Sequence, residues 1–152
     1  MPDSGSPLSQ QEFDAIYSKV PRLTVEIILK DDEGRLYLTK RAIEPCKGQW
    51  HLPGGTVRFG ELMNDAVKRI AKRELKIDVD QMVNKGYIEY PSHFENGLDS
   101  PVGIVFEVEK FSGKLTINEE AQDSGLFSTL PADMHADQDN FLVNNNYLVR
   151  EE

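Results

Sequence analysis

Gly54, Gly55, Glu61, Arg69 and Glu74 are the residues of this chain whose types and spacing suggest chemistry. Glu61 and Glu74 bring carboxylates to a segment that follows a glycine pair. Carboxylates on a helix face offer hard oxygen donors. A hard cation such as Mg2+ takes such donors and keeps several waters. Phosphate oxygens of a ligand can complete its shell. Arg69 suits a pairing with Glu61 that orients the loop between the glycines and the helix. Arg73 suits a salt bridge or a phosphate contact. Taken singly, each of these residues also fits a solvated helix face. Taken together, in register behind Trp50-His51-Leu52-Pro53, they point to a site.

The elements that must hold these residues can be read from the pattern. Residues 61–76 predict a helix, with Met63, Ala66, Val67, Ile70 and Ala71 forming an apolar stripe and Gly60 allowing a tight entry. Positions 70, 73 and 74 are spaced to share one face of that helix. Residues 23–29 read as a buried strand and residues 35–41 as a half-wet one, joined by the turn Asp31-Asp32-Glu33-Gly34 into a hairpin. Residues 50–55 form a short extended piece. Further strands are expected around Tyr87-Tyr90 and over residues 102–108, and a closing helix over residues 138–149. Ser9 and Glu12 have the spacing of a capping box, followed by Phe13, Ile16, Tyr17 and Val20 at helical intervals. The organisation expected is a loose segment 1–8 and one domain over 9–152, with a helix over 9–20. Strand runs with short links suggest an α+β fold with a mixed sheet.

Composition narrows the function. A chain of 152 residues with 26 acidic and 17 basic side chains, net charge −9, lacks the basic surface that general nucleic-acid binding needs. A nucleotide remains compatible, because a divalent metal can bridge phosphate to carboxylate. One cysteine, Cys46, excludes an intrachain disulfide and suits a reducing, cytoplasmic compartment. Cys46 itself reads as an incidental loop thiol. There is no apolar run of membrane-spanning length.

The stretch from Gly55 to Ile77 resembles the Nudix box, with Gly55, Glu61, Arg69, Glu74 and Ile77 in register. Ile70, Arg73 and Lys76 stand where that family has Glu, Glu and Gly. The resemblance implies a Nudix fold, a mixed β-sheet sandwiched between helices. It also implies a Mg2+ ion, with Mn2+ as a substitute, held by Gly54, Glu74 and Glu61. Loss of two carboxylates, and a reversed charge at 73, favours a single metal.

The pattern of loss is similar to that of the GDP-mannose mannosyl hydrolase branch, and the similarity covers most of residues 9–130. Leu8-Ser9-Gln10-Gln11-Glu12-Phe13, Glu26, Thr39-Lys40-Arg41, Gly48-Gln49-Trp50 and His93-Phe94 carry it. It implies hydrolysis of a nucleotide sugar such as GDP-mannose by substitution at the sugar's anomeric carbon. Arg41, Glu26 and Gly55 would contact the substrate. Arg41 and Arg69 would act as cationic helpers on phosphate. The branch has Gln-His before its last strand where this chain reads Ala121-Gln122-Asp123, and an Arg after Gly-Gly where this chain has Thr56. Gln122 cannot take a proton. Glu120, its neighbour Glu119, and His93 are therefore the candidate bases. His51 could face either way, and His135 reads as a surface residue. A catalytically weak or inactive Nudix-fold nucleotide-binding module is the alternative. A housecleaning enzyme for damaged nucleoside triphosphates ranks last. A homodimer through the amphipathic N-terminal helix is also expected.

Overall fold

The computed structural model describes residues 5–115 and 123–151. Strand β1 (Arg22–Ile28) is central to it. Successive side chains of a strand point to opposite faces. Val25 and Ile27, with Leu29 just beyond, enter one hydrophobic cluster, and Ile28 enters another. Both faces of β1 are thus covered, and two of its polar residues, Thr24 and Glu26, are buried too.

A mixed sheet runs in the order β4 (Gly54–Thr56), β1, β6 (Pro101–Ser112), β5 (Asp78–Glu89). In it β1 is parallel to β6 and antiparallel to β4. A second, antiparallel sheet runs β3 (Trp50–His51), β2 (Leu36–Lys40), β7 (Ser124–Phe127). Helix α2 (Met63–Ile70) packs Ala66, Val67 and Ile70 against one side. Helix α4 (Ala136–Asn144) packs Leu142 against the other. This is the expected α+β arrangement of a mixed sheet between helices.

Several local expectations change. The hairpin of residues 23–29 and 35–41 forms only at its base, where Tyr37 N–H donates to the Leu29 carbonyl at 2.9 Å. Beyond that point the strands enter different sheets, because β4 and β6 occupy both edges of β1. The segment 61–76 is not one regular helix: α2 passes into a π-helical turn, Ala71–Leu75. Ile70 points into the core beside Val67, Ala71 and Leu75. Arg73 and Glu74 keep 27% and 33% of their side chains exposed. Positions 70, 73 and 74 therefore do not share one solvent-facing surface, since the wider turn and the core's demand for an apolar side chain separate them. Lys76 ends the turn at φ 58°, in the left-handed region that favours glycine.

At the N-terminus, α1 (Gln10–Tyr17) has both hydrogen bonds of the Ser9–Glu12 capping box and buries Phe13. Short helix α3 (Pro91–Glu95) follows β5, with Pro91 in its first turn. The closing helix stops at Asn144, and Leu148 folds back into the core.

Candidate active site

Glu61 and Arg69 form the frame of the loop before α2. Arg69 donates Nε to Glu61 Oε2 at 2.8 Å and Nη2 to Oε1 at 3.0 Å. Its Nη2 also reaches the Thr56 carbonyl at 2.9 Å. The Arg58 amide donates to Glu61 Oε1 at 3.1 Å. The Arg69 hydrogen bonds hold the Glu61 carboxyl below its ordinary pKa. Both oxygens of Glu61, expected to face a metal, thus tie the loop to the helix. One turn on, Arg73 pairs with Glu74 at 3.0 Å.

Glu26 sits between two glycines on neighbouring strands. A Cβ on Gly54 would lie 2.3 Å from Glu26 Oε2, and one on Gly103 would lie 2.7 Å from Oε1. Only glycine lets the strands close around this carboxyl. Tyr90 donates its hydroxyl to Oε1 at 2.7 Å, and Thr24 Oγ1 donates at 3.1 Å. Gln138 of α4 donates to the Tyr90 oxygen at 2.9 Å and accepts the Leu52 amide at 2.8 Å. Burial lifts the Glu26 pKa to about 7, against the Tyr90 and Thr24 hydrogen bonds, and the charge of Glu74 adds to the rise. Glu26 can therefore hold or release a proton near neutral pH.

A third cluster faces the same cavity. His93 Nδ1 lies 3.0 Å from Asp99 Oδ1, and Asp99 also receives Arg22 at 2.6 Å. Burial opposes ionisation of Asp99, but His93 and Arg22 outweigh it and hold the carboxyl far below its usual range. His93 Nε2 and His135 Nε2 stand 3.1 Å apart. His135 is only 6% exposed, so the expectation of a surface histidine is corrected. Its Nδ1 accepts the Asp137 amide at 3.1 Å and caps α4, which drew it inward. Burial, then the nearby His93, push its pKa down to about 4. Cys46 Sγ lies 3.8 Å from His135 Nε2.

Glu26, Gly54, Gly55, Arg41 and His93, all expected at the site, line one cavity of about 620 Å3. Glu74, Glu61 and Arg69 are not among its lining residues; they stand at the end of the glycine strand, near enough for Glu74 to act on Glu26. His51 lines the cavity and contacts the Leu52 carbonyl through Nδ1 at 2.8 Å. Glu119, Glu120 and Gln122 lie outside the described residues. Trp50 packs edge-on against Phe127, whereas Phe59 is fully exposed. Sequence reasoning missed Asp99, Gln138 and the hydrogen-bonding role of Tyr90. No local spacing marks them, since they reach Glu26 and His93 through pairing of distant segments.

The chain matches the NUDIX domain family over residues 20–144. It belongs to the Nudix hydrolase family. A glycan relative of this Nudix protein, the "Low-salt glycan biosynthesis protein Agl8" of Haloferax volcanii, is 35% identical over 105 residues, covering 66% of this chain and 67% of that one. An "ADP-ribose pyrophosphatase" of Methanocaldococcus jannaschii is 30% identical over 107 residues, covering 70% of this chain and 62% of that one. Among solved structures, a MutT NUDIX hydrolase from Burkholderia pseudomallei aligns with TM-score 0.67 and 29% identity, covering 77% of this chain and 92% of that chain. No described helix is long and apolar enough to cross a membrane.

Proposed function

We propose that this Nudix protein is a Mg2+-dependent hydrolase of a nucleoside diphosphate linked to another moiety, with a nucleotide sugar such as GDP-mannose as substrate. One observation carries the reading: a cavity walled by Arg41, Glu26 and Gly54 lies beside a Nudix helix that keeps only Glu74 of its carboxylate positions 70, 73 and 74. The name of the Haloferax volcanii glycan biosynthesis protein is compatible with a sugar-bearing substrate.

The residues present fit a hard cation. Glu74 and the Gly54 carbonyl would supply the oxygen donors, with Glu74 exchanging its Arg73 partner for the ion, and a cation there would offset the Glu74 charge that acts on buried Glu26. Glu74 and Gly54 would hold the ion, which when bound would neutralise pyrophosphate charge and help it leave. Glu61, with Arg69, keeps the loop beside that position. Arg41 binds phosphate oxygens from the cavity wall. Gly55 lets the substrate approach the strand. Glu26 Oε2, turned toward Gly54, accepts from a sugar hydroxyl. His93 would take the proton from the attacking water at Nε2 once His135 turns aside from that nitrogen, its ring steered by Asp99; Glu120 is the other candidate base. Mn2+ substitution, a cytoplasmic location and a homodimer through α1 belong to the same reading. Gel filtration of a form starting at Pro21 tests the last.

Purified protein with Mg2+ should release a nucleoside diphosphate or monophosphate from a member of a nucleotide-sugar panel. Product analysis in heavy-oxygen water then places the label on sugar or phosphate and names the broken bond. No turnover of any member with Mg2+ or Mn2+ overturns the proposal. Ligand-induced thermal stabilisation without turnover would favour the alternative, a Nudix-fold nucleotide-binding module.

A further inference from the structure

We propose that Cys46, His93 and His135 form a second metal site, for a soft divalent cation of the Zn2+ class, distinct from the oxygen-donor position beside Glu74. The ligand atoms of the three residues all lie within 4.8 Å of one another. A tetrahedral ion with the usual Zn–N and Zn–S bond lengths separates two nitrogens by about 3.3 Å and a nitrogen from a sulfur by about 3.6 Å. The structure has His93 Nε2 at 3.1 Å from His135 Nε2, and His135 Nε2 at 3.8 Å from Cys46 Sγ. Two of the three pairs among side chains from the β2–β3 loop, α3 and the start of α4 are therefore already near ligand spacing, and the third lies within 4.8 Å.

A second observation supports the donor set. His93 Nδ1 is held by Asp99 at 3.0 Å, and Asp99 by Arg22 at 2.6 Å. This carboxylate–histidine arrangement fixes the proton on Nδ1 and presents the Nε2 lone pair, as outer partners of metal-bound histidines do. Cys46 takes a left-handed backbone at φ 65°, rare for a residue with a side chain, in the loop that brings its thiol to the cavity wall. Thiolate and imidazole select a soft or borderline metal, whereas Mg2+ prefers oxygen. Three protein ligands leave the fourth position to water from the cavity, the pattern of an open zinc site.

Loading has a defined proton balance. His135 Nδ1 accepts the Asp137 amide, so its proton resides on Nε2. On binding, that proton moves to Nδ1 and the ring turns off the amide, while the Cys46 thiol gives its proton to solvent. One proton leaves for each ion bound. An ion here occupies His93 Nε2, so it would block the base role proposed above. That consequence rests on the proposed function; binding itself does not.

The test titrates metal-free, full-length protein with Co2+ under reducing conditions and follows the thiolate-to-cobalt absorption band, then displaces Co2+ with Zn2+. One equivalent with a thiolate band is expected. Cys46→Ser should lose the band. His135→Asn, which keeps a good helix cap, should weaken Zn2+ binding at least about 10-fold. Glu74→Gln should leave the band intact, which separates this site from the Mg2+ position. Thermal melts establish that each variant is folded. Absence of a thiolate band, a band unchanged in Cys46→Ser, a band lost in folded Glu74→Gln, or half an equivalent per chain overturns the proposal.

Discussion

Tyr90 donates its hydroxyl to Glu26 Oε1 across 2.7 Å, joining the end of β5 to the buried carboxyl of β1. Gln138 fixes the Tyr90 oxygen in turn, so α4 and the central sheet meet at one acidic group. A buried polar group is stable only when partnered, and these contacts are what allow a carboxyl to sit beneath the cavity.

Glu26 should make the protein less stable as pH rises through the neutral window. Its folded pKa is about 7 against an ordinary 4.5. Below pH 4.5 both states keep the proton and the group has no effect. Between 4.5 and 7 the unfolded chain releases it while the folded chain retains it, so folding is progressively disfavoured. Glu26→Gln, measured by urea unfolding in EDTA, should be more stable than wild type at pH 8 by on the order of 3 kcal/mol more than at pH 4. Parallel pH curves for the two proteins would contradict this. Tyr90→Phe removes a contact that lowers the pKa, and should extend the sloping window upward.

Arg69→Ala should destabilise the fold by about 2 kcal/mol, because it leaves the half-buried Glu61 without its two charge-assisted hydrogen bonds. The Glu61 pKa should rise toward its ordinary value, read by carboxyl NMR titration. Arg69→Lys should recover only part of the loss, since an ammonium cannot span both oxygens and the Thr56 carbonyl.

Two substitutions toward the family pattern should act in opposite directions. Ile70→Glu buries an unpaired charge in the core and should cost roughly 3 kcal/mol or more without raising Mg2+ affinity. Lys76→Gly should gain about 0.5–1 kcal/mol by relieving the left-handed backbone at φ 58°. Chemical denaturation and Mg2+ titration check both.

Gly54→Ala should cost about 1–3 kcal/mol and impair any activity of the site. The new methyl would meet the Val25 carbonyl at 2.6 Å as well as Glu26, and backbone cannot swing aside. Gly48→Ala, with nothing within 4 Å of its Cβ position, meets only backbone strain at φ 83° and should leave the site intact. Thermal melts and activity on the two variants separate these effects.

The sequence by itself determined the family, the α+β class and the local pieces whose information is local. The Ser9–Glu12 cap, the glycine turn at Gly60 and the Glu61–Arg69 pair rest on short-range spacing, which backbone geometry translates directly into contact. The apolar stripe of α2 was legible for the same reason, but the π-helical turn after it was not. The stripe already assigned Ile70 to the core, but no local signal says that the turn after it widens and carries Arg73 and Glu74 away from Ile70. The hairpin of residues 23–29 and 35–41 misled because local turn chemistry cannot show that distant strands occupy both edges of β1.

Only the tertiary structure decided what surrounds the cavity. Glu26 gains its raised pKa from burial against Gly54 and Gly103, opposed by the Tyr90 hydrogen bond, and all three residues come from other parts of the chain. His135 changes from an apparent surface residue to a buried cap because α4 closes over Tyr90 and the neighbouring strands. Cys46, His93 and His135 are separated by 47 and 42 positions in sequence, yet their ligand atoms lie within 4.8 Å of one another. Metal-ligand chemistry depends on distance in space, and a sequence encodes that distance only through the packing of the whole domain.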